Sequence, residues 1–238
     1  MRVQGAKKNP KLTQVSEPTI GVSVNVNQTK SKIHNVFIVD ASGSMSGGKY
    51  TNAIAGLNEL LVSISKDTDS ENTVTIVEFE GRNIARRLDV VTKIPKSYKG
   101  MGTDGMTPLN QAVGETLEYI VGVRQSKFDV ADKILVNIFT DGGENSSTGK
   151  YREPNVLGLY IKELEEQGVT VTFIGTKQEV AYAIQSLHMD FSNTLVHNNT
   201  AADVKRSFDV TVSARQMYSK SVSRGEEVKT AFYTKTVN

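Results

Sequence analysis

Short apolar runs alternate with longer amphipathic segments over most of this chain, and this alternation restricts the fold more than any other feature of the sequence. Val36–Val39 and Ile134–Phe139 are short apolar runs, which is the pattern of strands buried on both faces of a parallel sheet. Between Tyr50 and Ile64 the apolar residues recur at helical spacing, which predicts a helix with one buried face. Strands that alternate with helices indicate a doubly wound α/β fold, in which helices cover both faces of a mostly parallel sheet.

One pair of predicted strands has a different connection. Thr73–Phe79 and Ile84–Val91 are separated only by a short segment that contains the turn sequence Gly81-Arg82-Asn83. This segment is too short for the crossover that parallel strands require. We therefore expect an antiparallel hairpin whose second strand lies at one edge of the sheet.

The 238 residues suffice for one α/β domain, which we place at residues 33–219. Residues 1–32 are predicted to form a polar leader with six basic residues and one acidic residue. The alternation in Ile20–Val26 is compatible with one edge strand in that leader. Residues 220–238 are predicted to form a tail, in which Thr230–Thr234 is compatible with a further edge strand.

Composition excludes several kinds of protein. The chain has no cysteine, so disulfides, thiolate metal sites and a cysteine nucleophile are excluded. It has no run of about 18 apolar residues that would span a membrane, and its first residues lack the apolar core of a secretory signal. From these features we predict a cytoplasmic location. Outside the basic leader the net charge is slightly negative, which argues against a nucleic-acid-binding surface.

Polar side chains gather at the ends of predicted strands and loops. Asp40, Ser42 and Ser44 follow the first strand, and Asp141 follows a later central strand. Thr107 ends a glycine-rich loop and opens a helix. Because ligands bind at the carboxyl ends of the strands in open α/β sheets, we expect these five side chains to meet at one edge. Three hydroxyls and two carboxylates are hard oxygen ligands for a divalent cation, of which Mg²⁺ fits best and Mn²⁺ or Ca²⁺ would use the same groups.

The pattern Asp40-x-Ser42-x-Ser44, with Thr107 in Gly-Met-Thr-Pro-Leu and Asp141 in Thr-Asp-Gly, resembles the metal-ion-dependent adhesion site (MIDAS) of von Willebrand factor type A domains. The resemblance extends over about residues 33–215 and includes the order of the motifs. It implies that the three hydroxyls bind the cation directly and that the two carboxylates act partly through water. It also implies a free coordination position that takes a Glu or Asp side chain from a partner protein.

The same resemblance implies an interaction module rather than an enzyme. The glycine-rich loops around the cation would form a rim that contacts the partner. The rim positions are Gly43, Gly47, Gly48, Gly142 and Gly143. Intracellular members of the family imply an AAA+ ATPase or a multi-protein assembly as the partner.

Two other interpretations stay open. Gly43–Lys49 fits the spacing G-x-x-x-x-G-K of a phosphate-binding loop, which would make the protein a nucleotide-binding enzyme. That pattern requires Ser or Thr at the next position, whereas this chain has Tyr50, and it would leave Asp40 and Thr107 without a role. The other interpretation is a structural or self-assembling scaffold whose contacts do not depend on a metal ion.

Overall fold

The structure is a computed structural model, and it describes Met1 and residues 30–81, 83–127, 133–228 and 231–233. The edge strand predicted at Ile20–Val26 lies outside the described residues. The strands are β1 (Lys32–Asp40), β2 (Glu71–Glu80), β3 (Asn83–Val91), β4 (Lys133–Phe139), β5 (Val169–Gly175) and β6 (Thr194–Val196). The α-helices are α1 (Lys49–Ser65), α2 (Leu109–Lys127), α3 (Pro154–Glu166), α4 (Lys177–Ser186) and α5 (Ala201–Ser223).

The strands form one sheet in the order β3-β2-β1-β4-β5-β6, and every neighbouring pair is parallel except β2 and β3. This arrangement confirms the predicted α/β fold with one antiparallel edge strand. β1 is central because it is apolar on both faces, so that Phe37 lies in one core and Ile38 in the other. The direction of winding reverses between β1 and β4, and ligands bind at such a switch point in sheets of this class.

Helices cover both faces of the sheet, as predicted. Residues of α1 and α5 contribute to the core on one face, and residues of α2, α3 and α4 contribute to the core on the other. The contact between α1 and α5 is close because Gly56 has no side chain, and a Cβ there would lie 2.4 Å from the ring of Phe208. Asn52 Nδ2 also donates to Ala201 O at 2.8 Å, which holds the beginning of α5 against the beginning of α1.

The described end of the chain packs back onto the domain. α5 continues to Ser223, beyond the predicted end of the domain at residue 219. Phe232 and Tyr233 are buried, and Tyr233 N donates to Ser192 O at 3.0 Å. Of the segment Thr230–Thr234 the structure describes residues 231–233, which contain a turn, and the division of the chain into three parts stays a prediction. No helix within the described ranges is both long and apolar enough to cross a bilayer.

His34 is a buried histidine in β1 with a hydroxyl beside each ring nitrogen. Its Nδ1 lies 2.6 Å from Thr73 Oγ1, and its Nε2 lies 3.2 Å from Thr75 Oγ1. Burial lowers the pKa of His34 to about 4, although the charge of Asp89 opposes this effect. The folded chain therefore keeps this imidazole neutral in a range where the unfolded chain protonates it.

We expect His34 to make the free energy of unfolding depend on pH. As the pH falls from the ordinary value of 6.5 to about 4, the unfolded chain gains a proton that the folded chain does not, so about 3 kcal/mol of stability is lost. Urea unfolding of the wild type and of His34→Gln across this range measures the effect as their difference. His188→Gln, at an exposed position, should keep the wild-type slope. A His34→Gln variant with that same slope would contradict the prediction.

Candidate cation site

Asp40 is the last residue of β1 and is fully buried. Its Oδ1 accepts a hydrogen bond from Ser42 N at 2.7 Å, and its Oδ2 accepts one from Thr140 Oγ1 at 2.5 Å. Burial raises the pKa of Asp40 to about 6, while the hydrogen bonds from Thr140 and Ser42 act in the opposite direction. The carboxylate is thus held in a fixed orientation where a positive charge would be strongly favoured.

The two serines of the motif lie at a short 3-10 helix that follows β1 (Gly43–Met45), with Ser42 directly before it and Ser44 within it. Ser42 is buried, Ser44 is exposed, and their Oγ atoms are 2.9 Å apart. Met45 next to them is fully buried, which anchors this turn in the core and directs Ser44 toward the surface. The pair therefore presents two hydroxyl oxygens at the carboxyl end of β1.

Thr107 reaches the same edge from the loop before α2. Gly43 N donates to Gly105 O at 3.1 Å, which joins this loop to the turn after β1. Thr107 is 3% exposed, and its N–H donates to Asn145 Oδ1 at 2.8 Å. Asn145 N donates back to Thr107 O at 3.2 Å, so the loop after β4 is joined to Thr107 as well.

The space in front of Gly142 shows how these three loops converge. A Cβ built on Gly142 would lie 2.7 Å from Ser44 Oγ, 3.0 Å from Thr107 Oγ1 and 3.5 Å from Asp40 Oδ2. Oxygen atoms from the end of β1, from the turn after it and from the loop before α2 thus surround one point in front of the loop after β4, and this point is free because residue 142 is glycine. Hydroxyl and carboxylate oxygens around one point fit a hard divalent cation.

Asp141 contributes the second carboxylate of the site. It is 6% exposed, and its charge acts on Asp40. Its Oδ2 contacts the ammonium of Lys49, while its Oδ1 has no hydrogen-bond partner among the residues that the structure describes. A buried carboxylate oxygen without a donor is costly unless a cation is near, which again fits a metal site.

The donor set is dominated by hydroxyls, and this distinguishes it from carboxylate-rich or histidine-rich sites. Within the described part of the chain, no group of three or more His, Cys, Asp or Glu side chains is arranged to hold a metal ion. The predicted ligands include only two carboxylates, Asp40 and Asp141. Because hydroxyls are uncharged, neutralisation of a divalent cation would depend on those two carboxylates.

The predicted rim glycines fall into two groups. Gly43, Gly47, Gly48 and Gly143 are exposed around the site. Gly142 is buried and faces the three oxygen donors. Gly142 thus differs from the other four glycines in its burial, and contact of all five with a partner stays a prediction.

Several residues that organise this site were not predicted to do so, although Thr140 is the first residue of the Thr-Asp-Gly motif. Thr140 orients Asp40, and Glu144 Oε2 accepts from Asn110 N at 2.7 Å at the beginning of α2. Tyr50, at the position where a phosphate-binding loop needs Ser or Thr, donates its hydroxyl proton to the buried carboxylate of Glu78. That carboxylate also accepts from Met101 N at 3.1 Å, so Tyr50 and Glu78 support the long loop that leads to Thr107.

The sequence matches no established family profile. An alignment over 150 residues covers 61% of this chain and 14% of the collagen alpha-1(VI) chain of Gallus gallus, with 25% identity. The chain therefore corresponds to a small part of this relative.

Solved structures with the same fold include two that cover most of the chain. The vWF domain of the type V pili tip protein Mfa5 from Porphyromonas gingivalis has a TM-score of 0.58 at 12% identity, over 80% of this chain and 97% of that one. Proximal thread matrix protein 1 from the mussel byssus, with a zinc-occupied MIDAS motif, has a TM-score of 0.58 at 14% identity, over 79% of this chain and 46% of that one. At these identities the likeness establishes the von Willebrand factor A-type fold alone.

The comparisons contradict the predicted cytoplasmic location. The similar proteins are parts of a collagen, a byssus thread and pili, and these are structures outside the cell. The prediction was wrong because proteins outside the cell can lack cysteine, so the absence of cysteine does not exclude an oxidising compartment. The expectation of an AAA+ ATPase partner depended on an intracellular location and is not carried further.

Proposed function

We propose that this protein is a cation-dependent protein-binding module. Asp40, Ser42, Ser44, Thr107 and Asp141 hold a divalent cation, with Mg²⁺ as the best fit, and the cation takes an acidic side chain from a partner protein. The observation that supports this proposal best is the convergence of Ser44 Oγ, Thr107 Oγ1 and Asp40 Oδ2 on one point in front of Gly142. The zinc-occupied MIDAS motif of a protein with the same fold is consistent with it.

The proposed ligand class follows from the charges at the site. The two buried carboxylates can at most neutralise a bound divalent cation, and the hydroxyls add no charge, so the site has no excess negative charge that would repel an anionic ligand. A partner Asp or Glu is therefore an attractive additional ligand, since oxygen anions are the preferred ligands of hard cations. The exposed glycines Gly43, Gly47, Gly48 and Gly143 leave room for the backbone of a partner to approach.

A nucleotide-binding enzyme receives less support from the local contacts. Lys49, which a phosphate-binding loop would direct at phosphate oxygens, is paired with Asp141. Tyr50 is engaged with Glu78 and supplies no aliphatic hydroxyl at the position that the motif reserves for a metal ligand. ATP or phosphoester hydrolysis by the purified protein, with loss of the activity in Lys49→Ala, would overturn the binding-module proposal.

Thr107→Val should weaken cation binding by about 100-fold or more, because it removes one direct oxygen ligand and keeps the shape of the side chain. Calorimetric titration with Mg²⁺, Mn²⁺, Ca²⁺ and Zn²⁺ measures the loss and ranks the metals. Thr103→Val, in the same loop but partly exposed, is the matched control and should bind like the wild type. A Thr107→Val variant that binds the cation with wild-type affinity would exclude Thr107 as a ligand.

The docking step requires a separate test. We expect immobilised wild-type protein to retain a partner in the presence of the preferred cation and to release it on addition of EDTA. Thr107→Val should fail to retain it, and replacement of one Asp or Glu of the identified partner by Ala should have the same effect. Partner retention or ordered self-assembly that EDTA leaves undisturbed would instead support a metal-independent scaffold.

A further inference from the structure

Lys49 places a positive charge inside the predicted cation site. It is the first residue of α1, and the two glycines before it, Gly47 and Gly48, adopt φ values of +74° and +93°. Because glycine accepts this left-handed backbone without strain, the chain can turn sharply and direct Lys49 back toward the sheet. The Lys49 ammonium contacts Asp141 Oδ2, and it also donates to Asn199 Oδ1 at 3.1 Å.

The pair is sheltered from solvent, so its charges interact strongly. The Lys49 side chain is 16% exposed and the Asp141 side chain is 0% exposed. Water screens such a pair far less than an ion pair on the open surface. The ammonium therefore supplies positive charge to the same carboxylate that is predicted to hold the divalent cation.

We infer that Lys49 is an internal competitor of the divalent cation for Asp141 and that it sets the affinity of the site. This inference rests on the proposed cation-dependent function. A cation that takes Oδ2 must displace the ammonium. A cation that takes Oδ1 instead still shares one carboxylate with a second positive charge, and the two repel each other in a poorly screened environment.

Lys49 could instead help the cation to bind, by positioning Asp141, and this role predicts the opposite change in cation affinity when Lys49 is replaced. If Lys49 served to hold Asp141 in the orientation that the cation needs, its removal would weaken cation binding. If Lys49 competes with the cation, removal of its charge strengthens binding. The direction of the change in affinity thus separates competition from positioning.

The experiment compares Lys49→Met, which keeps an unbranched stem but removes the charge, with Lys49→Arg, which keeps the charge. Calorimetric titration of the full chain with Mg²⁺ and with Mn²⁺ should give a dissociation constant at least about tenfold lower for Lys49→Met. Lys49→Arg should stay within about threefold of the wild type if it keeps the ion pair. Lys205→Met is the matched control, because it removes one charge from an exposed ion pair with Glu59 and should leave the affinity unchanged.

A second measurement is independent of metal binding. In EDTA, Lys49→Met should have a lower midpoint of thermal unfolding than the wild type, since it leaves the buried Asp141 without its positive partner. A subsequent addition of Mn²⁺ should raise that midpoint by more than it raises the wild-type midpoint.

The outcomes distinguish this inference from the proposed function. Cation binding by the wild type with equal or weaker binding by Lys49→Met overturns the competition and leaves the proposed function standing. Absence of cation binding in both overturns the competition and the proposed function together. Tighter binding by Lys49→Met, including binding that appears only in that variant, supports the inference.

Discussion

Gly142→Ala should weaken cation binding by at least about 100-fold while the protein stays folded. The added methyl group would lie 2.7 Å from Ser44 Oγ and 3.0 Å from Thr107 Oγ1, which is the point on which the predicted ligands converge. A Cβ at 2.7 Å from an oxygen atom is closer than van der Waals contact allows, so Ser44 Oγ must shift, and Thr107 Oγ1 must give way by a few tenths of an ångström. The methyl group would then occupy the space that the cation needs, and it offers no lone pair in return.

The cost to the fold should be much smaller than the cost to binding. Overpacking by one methyl group costs about 1–3 kcal/mol, which a domain with a free energy of unfolding of about 5–15 kcal/mol tolerates. Here the displaced groups are hydroxyls at the edge of the sheet rather than residues of the central core. We therefore expect a folded Gly142→Ala protein whose affinity for the cation is lower by at least about 100-fold.

The neighbouring residue provides a matched control. A Cβ on Gly143 would meet no other atom within 4 Å, and this glycine is exposed. Gly143→Ala should therefore bind the cation like the wild type in the same titration. If Gly142→Ala also bound with wild-type affinity, the cation would not lie in front of residue 142, and the proposed ligand set would have to be abandoned. Circular dichroism of both variants separates loss of binding from loss of fold.

The fold was predictable because its determinants are local. Buried parallel strands require continuous apolar runs such as Val36–Val39, and amphipathic helices require the spacing seen between Tyr50 and Ile64, so both patterns are visible along the chain. The proximity of Asp40, Thr107 and Asp141 followed from the same patterns. Once the strands are parallel, the loops at their carboxyl ends lie at one edge.

The contacts that tune the site were not predictable, because they join residues far apart in the sequence. Thr140 reaches Asp40 across 100 positions, and Lys49 reaches Asp141 across 92. Neither the periodicity nor the motifs of the sequence indicate which hydroxyl or ammonium group will contact a given carboxylate. Such pairings depend on the side-chain geometry of adjacent loops, and the sequence showed Lys49 only as part of an apparent phosphate-binding pattern.

Arg215→Met should destabilise the protein strongly. Arg215 lies on α5 and is 1% exposed, although it is charged. One of its guanidinium nitrogens donates to Asp67 Oδ2 at 2.7 Å, another donates to Asn72 Oδ1, and its Nε donates to Asn35 Oδ1 at 3.2 Å. Ser219 Oγ donates to the same Asp67 oxygen at 2.6 Å. This network ties α5 to β1 and to the α1–β2 connection, near the ends of the strands opposite the cation site.

The expected loss is about 3–5 kcal/mol, because removal of one partner leaves the other buried charge uncompensated. Asp67 would keep its charge with 7% side-chain exposure, and the side-chain oxygens of Asn35 and Asn72 would each lose the donor that Arg215 provides. Urea unfolding of Arg215→Met measures the loss. Arg224→Met, which removes an exposed pair with Glu226, is the matched control and should leave the unfolding midpoint nearly unchanged.

A double variant separates the charge effect from simple loss of packing. Asp67→Asn alone should also be destabilising, but Asp67→Asn combined with Arg215→Met should lose less than the sum of the two single variants, because neither charge is then left alone. Strict additivity would mean that the two side chains stabilise the fold independently and would contradict the coupled network.

Under conditions where Arg215→Met is still folded, its cation affinity should equal that of the wild type, since the network lies at the opposite end of β1 from Asp40. A change in affinity would instead show that the position of α5 is coupled to the cation site.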